Sequence, residues 1–92
     1  MLNTPRCFTE GQLHVVENPM TGGILIENIS QITGHLSKMF LGINFDAFMD
    51  AYDIWKQGEM IQWAFPELSA DEREFVKTGI TPQEWDAMFG ED

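Results

Sequence analysis

Short β-branched runs separated by turn residues fill the first half of the chain. Leu13-His14-Val15-Val16 and Gly23-Ile24-Leu25-Ile26-Glu27-Asn28-Ile29 flank Asn18-Pro19-Met20-Thr21-Gly22, a turn-forming cluster of hairpin size. A third run, Leu36 to Ile43, follows Thr33-Gly34-His35, and in it Met39, Leu41 and Ile43 alternate with Lys38, Phe40 and Gly42. Alternation with period two lets one face be buried. A competing helical stripe, Ile29, Ile32, Leu36, Met39 and Phe40, is disfavoured by Gly34 and Gly42, since a glycine inside a helix costs about 1 kcal/mol relative to Ala. The pattern predicts a three-stranded antiparallel meander.

After residue 43 the period becomes helical and the end signals are strong. Asn44 is placed to cap a helix in which Phe45, Phe48, Met49, Tyr52 and Trp55 share the face that packs on the sheet. Ile43 is spaced to staple onto Phe48, and Gly58 ends the helix. Met60 to Phe65 reads as a short apolar turn or helix stopped by Pro66, because the residue before proline avoids the helical region. Ser69-Ala70-Asp71-Glu72 forms a capping box, with Phe75 and Val76 facing inward and Gly79 as the stop. Thr81-Pro82-Gln83-Glu84 repeats the device, and Trp85, Met88 and Phe89 make an apolar stripe. These stacked signals predict a last helix that belongs to the fold, with Trp85 buried. The fold class expected is α+β: a small three-stranded antiparallel meander followed by three or four short helices packed on one face, in one domain spanning residues 1–92, with 1–43 mainly strands and 44–92 mainly helices.

Charge sharpens this division. The 92 residues carry a formal net charge of −10. Residues 1–43 set Arg6 and Lys38 against three acids, for −1, while residues 44–92 set Lys56, Arg73 and Lys77 against twelve, for −9. With 43% hydrophobic residues the chain is too apolar for a disordered acidic tail. Its longest apolar stretches are three to five residues, such as Ile24-Leu25-Ile26, whereas a membrane span needs roughly 20. The start, Met1-Leu2-Asn3-Thr4-Pro5-Arg6, lacks the basic flank and apolar run of a secretory signal, and Cys7 stands alone, so a cytoplasmic location is expected.

Catalytic and cofactor motifs find little footing. Neither His14 nor His35 belongs to an HExxH or lies three or four residues from another His or a Cys, and Asp46, Asp50 and Asp53 do not form a calcium loop. Gly22-Gly23 lacks the Lys-Ser/Thr of a phosphate loop. Ser30, Ser37 and Ser69 lie in no nucleophile elbow, and Cys7 has no assignable base. A non-enzymatic protein without cofactor or metal is therefore expected. The two helices around Gly79 imitate a helix-turn-helix, but Glu84 and Asp86 would face phosphates with only Arg73 and Lys77 to offset them, so no direct nucleic-acid binding is expected.

The segments Trp55-Lys56-Gln57-Gly58-Glu59-Met60-Ile61-Gln62, Ala64-Phe65-Pro66-Glu67-Leu68-Ser69-Ala70-Asp71-Glu72-Arg73-Glu74-Phe75 and Thr78-Gly79-Ile80-Thr81-Pro82-Gln83-Glu84-Trp85-Asp86 resemble a group of small, mostly uncharacterised acidic proteins encoded by bacterial viruses and mobile elements. The resemblance covers roughly the last forty residues and, loosely, Ile29 to Ile43; residues 1–28 do not fit it and read as an extension. It implies a phage or mobile-element origin, residence in a host bacterial cell, and a bias toward binding host machinery.

The remaining signal is the acid pattern. Asp46, Asp50 and Asp53 recur at four and three residues, on one helix face opposite Phe48, Tyr52 and Trp55, along roughly 10 Å. Glu59, Glu67, Asp71, Glu72 and Glu74 extend the stripe, and its alternative is a solvated face that keeps a small protein soluble. The leading expectation is a protein whose acidic helical face mimics phosphates in the basic groove of a host nucleic-acid-binding protein, as an anti-CRISPR or anti-restriction inhibitor, with aromatic side chains as anchors. The alternative is a structural or accessory viral protein that binds a partner or itself through Met60, Ile61, Trp63, Ala64 and Phe65, with a homodimer expected only if Trp63 is exposed.

Overall fold

The structure, a computed structural model, describes residues 5–89; the first four residues, on which the absence of a leader was read, and residues 90–92 lie outside it. β1 (Cys7–Glu10), β2 (Leu13–Glu17), β3 (Ile24–Ile29) and β4 (Leu36–Leu41) form one antiparallel meander in chain order. The sheet thus has four strands, where the pattern gave three. The additional strand, β1, pairs Cys7 with Val16 and Glu10 with Leu13. It lacks a period-two signature because Phe8 alone among its four residues is even partly buried. Within the region that the resemblance leaves out, Leu13, Val15, Ile24 and Ile26 belong to the buried core.

Register assigns the two faces. Val15 opposite Ile26, and Ile26 opposite Met39, lie on the core side, while Val16 opposite Leu25, and Leu25 opposite Phe40, lie on the other. The core side is covered by α1 (Phe45–Lys56), α2 (Ile61–Ala64) and α3 (Ala70–Thr78). Asn44 Oδ1 accepts the Ala47 N–H at 2.8 Å, and Phe45, Phe48 and Tyr52 turn inward, as expected. Tyr52 meets the Phe8 ring edge-on at 5.2 Å, and Phe48 meets Phe65 at 5.2 Å, so aromatic packing joins β1, α1 and the end of α2.

The start of α3 is a reciprocal capping box between Ser69 and Glu72, and its end is answered by the sheet. Asn28, buried on β3, donates from Nδ2 to two carbonyls of the last turn, that of Phe75 (3.0 Å), which also accepts the Gly79 N–H, and that of Val76 (3.3 Å). Gly79 closes the helix in the left-handed region at φ 77°, and a Cβ there would overlap the Ile29 carbonyl, so the position requires glycine twice over.

α4 (Pro82–Phe89) has its own reciprocal box, Thr81 with Glu84 at 3.1 Å each way, but buries no residue. Trp85, expected in the core, is 47% exposed, and Met88 and Phe89 are 47% and 57% exposed. The packed-on-one-face arrangement therefore holds for α1 to α3 and not for α4. A hydrogen bond from the Thr33 hydroxyl to the Glu84 carboxylate ties α4 to the β3–β4 loop. Among the described residues no helix is long and apolar enough to cross a membrane.

Candidate functional site

The acidic surface begins with α1. Once Phe45, Phe48 and Tyr52 are anchored in the core, helical geometry turns Asp46, Asp50 and Asp53 outward, and all three are exposed. Their environments differ. Arg6, just ahead of β1, bridges Asp46 Oδ1 from Nη1 at 2.8 Å and Glu17 Oε2 from Nη2 at 2.9 Å, with its guanidinium 4.9 Å from the centre of the Phe45 ring. The guanidinium's hydrogen bonds hold the Glu17 carboxyl below its ordinary range, and the two carboxylates in turn raise the pKa of Arg6. Asp46 is thus neutralised within the chain, while Asp50 and Asp53 belong to no ion pair among the described residues.

The structure divides the other acids expected in the stripe. Glu67 lines a groove of about 260 Å³ together with Asp50, over a floor that includes Ile43, Ala47, Ala51, Ile54, Ala64 and Phe65. It also faces Glu72 across a neighbouring cleft at Gly42, Ile43 and Leu68. Glu72, however, is held in its capping box, accepting the Ser69 N–H at 2.8 Å. Asp71 and Glu74 lie away from this side, in a cleft with Ile80, Pro82 and Trp85, and Glu74 accepts the Thr78 hydroxyl at 2.8 Å. Glu59 is exposed in the α1–α2 link, its carboxylate accepting the Met60 N–H at 3.3 Å. The groove therefore brings Asp50 and Glu67 together, with Asp53 exposed three residues along α1 and Glu59 beyond its end.

The apolar segment divides too. Ala64 and Phe65 are core, whereas Met60 is 53% and Trp63 69% exposed. Arg73, one of the two cations set against Glu84 and Asp86 in the sequence, donates from Nη1 to the Leu68 (2.7 Å) and Phe65 (3.3 Å) carbonyls and braces the loop into α3.

Two further groups are perturbed for structural reasons. Burial, with the hydroxyl donating to Glu10 Oε1 at 2.7 Å, raises the Tyr52 pKa, and the hydrogen bonds from Thr33 and the Thr81 N–H lower that of Glu84. Among the described residues no three His, Cys, Asp or Glu side chains converge as a metal-binding group. The groove floor escaped the sequence reading although its signal was present: Ala47, Ala51 and Ile54 recur at four and three residues, a second stripe beside the acidic one. The importance of Arg6 had no local signal, since its acceptors lie 11 and 40 residues away. The surface so assembled offers carboxylates for Lys and Arg side chains beside a shallow apolar floor. Comparison with protein-family models, with curated proteins and with solved structures gives no match.

Proposed function

We propose that this chain is a non-enzymatic acidic binding protein that occupies the basic groove of a nucleic-acid-binding protein, with Asp50, Asp53 and Glu67 standing in for phosphates. Anti-CRISPR or anti-restriction action in a phage-infected host is its concrete form. The observation that carries the reading is the pairing state of α1: Asp50 and Asp53 project from a rigid, capped helix, exposed and outside every ion pair among the described residues. Carboxylates fixed this way pair with cations meant for phosphates, and the chain's −10 charge speeds encounter at low salt. Asp46 is left out of the contact set because Arg6 already answers it.

The test is affinity capture from bacterial lysate with the wild-type chain and with Asp50→Asn/Asp53→Asn, at low and high salt, followed by mass spectrometry. The expected result is retention of nucleic-acid-binding proteins that competing duplex DNA displaces, and their loss with the double variant while its melting temperature holds or rises. Retention indifferent to both the variant and the DNA would sink the reading.

The exposure of Trp63 and Met60 favours a second reading, a structural or accessory viral protein docking a partner through that segment. Such docking is nearly insensitive to salt and is abolished by Trp63→Glu in a chain that stays folded.

A further inference from the structure

The outer face of the sheet adds nothing to the hydrophobic core, yet it is largely apolar. On β3 it presents Leu25, Glu27 and Ile29, and on β4, directly across, Phe40, Lys38 and Leu36. Leu36 and Phe40 are 60% and 69% exposed. Solvent-facing antiparallel sheets ordinarily carry polar side chains there, and large apolar side chains clustered in the open mark a contact surface. We propose that this face joins two copies of the chain in a two-fold dimer, β3 and β4 of one stacked on β4 and β3 of the other.

Register carries the argument. Sheets packed face to face keep their strands within about 30° of one another, with side chains interdigitating between them. A two-fold axis parallel to the strands and midway between β3 and β4 lays each β3 over the partner's β4. Leu25 then meets the partner's Phe40, Ile29 meets the partner's Leu36, and Glu27 meets the partner's Lys38, each contact made twice as an isologous interface requires. Within one copy Lys38 Nζ and Glu27 Oε2 are 3.8 Å apart, a loose pair that leaves both groups able to take a second partner.

Charge selects the occupant. A chain of −10 repels its own copy over most of its surface, but the contact face balances Glu27 against Lys38. On the proposed function, a basic partner is drawn to α1 instead, where Asp50 and Asp53 belong to no ion pair among the described residues. Lys38 at the middle of the edge strand β4 also discourages edge-to-edge extension, which leaves stacking as the mode of association. The contact uses six side chains of β3 and β4 on each copy, few beside the roughly 20–30 residues a side of a standard interface, so the dimer dissociates on dilution.

Sedimentation equilibrium of the full chain, from low micromolar to millimolar, tests this. The mass is expected to rise from 10.5 kDa toward twice that value. Phe40→Lys, Glu27→Lys and Lys38→Glu, all on the outer face and outside the core, are each expected to hold a chain with unchanged circular dichroism as a monomer. The exchange Glu27→Lys/Lys38→Glu is expected to restore association, and Trp63→Glu to leave it intact. A wild-type chain monomeric at every concentration, a dimer that survives Phe40→Lys, or an exchange variant that stays monomeric would each overturn the proposal. A monomer throughout would leave the face to a different protein or an apolar small molecule.

Discussion

α3 and α4 begin alike and end differently. Each opens with a Ser/Thr-x-x-Glu box bonded in both directions, and they run nine and eight residues. α3 buries Phe75 completely and Val76 almost so, while α4 buries nothing. The contrast separates two things that a sequence signal tends to merge. A cap pairs orphan amides within a few residues of itself, so it starts a helix wherever the helix lies. Burial depends on what faces the helix, and α3 has Asn28 and the Gln31 N–H, the latter donating to the Thr78 carbonyl at 3.0 Å, to fix it on the sheet. α4 has the Thr33–Glu84 hydrogen bond.

The contrast breaks most visibly at the aromatic residues. Phe75→Ala is expected to cost about 3–5 kcal/mol and to lower the midpoint of denaturant unfolding sharply. Trp85→Ala is expected to cost less than half as much, because half of that side chain already lies in water. Equal losses from the two variants would show that α4 is as integral as α3.

Removing the caps gives a smaller effect that sharpens the same point. Ser69→Ala is expected to cost about 1 kcal/mol in global unfolding. Thr81→Ala is expected to leave the global midpoint nearly unchanged while speeding hydrogen exchange at the Met88 and Phe89 amides, since a weakly docked helix opens locally. Slow exchange there in the Thr81→Ala chain would make α4 part of the cooperative unit.

The smallest effect is in the acid limb. Hydrogen bonds from Thr33 and Thr81 hold the Glu84 carboxyl below its ordinary value, so the unfolded chain takes up that proton at higher pH than the folded one. The stabilisation is full above the ordinary carboxylate pKa of about 4.3 and fades as pH falls through the lower folded value. Protection factors at the Met88 and Phe89 amides, exchange rates taken relative to those of the unstructured chain at the same pH, are expected to fall over that interval before those of the sheet amides, and Glu84→Gln is expected to abolish the step.

Helix starts and stops were legible because their physics is short-range: Asn44, Ser69, Thr81 and Gly79 each act on partners within a few residues. Strands β2, β3 and β4 were legible because burial on one face imprints a period of two, seen in Leu13, Val15, Ile24, Ile26 and Leu41. β1 was not, since its hydrogen bonds to β2 impose no pattern on a strand that turns little more than Phe8 inward. The candidate site was legible to the same degree. The spacing of Asp50 and Asp53 put them outward on α1, but nothing near Asp46 foretold that Arg6 would neutralise it.

By itself the sequence determined the α+β class, the order of strands before helices, the caps, and the concentration of negative charge in the second half, all of which follow from composition and spacing along the chain. Folding in three dimensions set which acids share a surface, which aromatic residues are covered, and that, among the described residues, no helix covers the outer face of the sheet. Those outcomes depend on distances between residues far apart in the chain, such as Arg6 to Asp46 and Asn28 to Phe75, and only folding sets them.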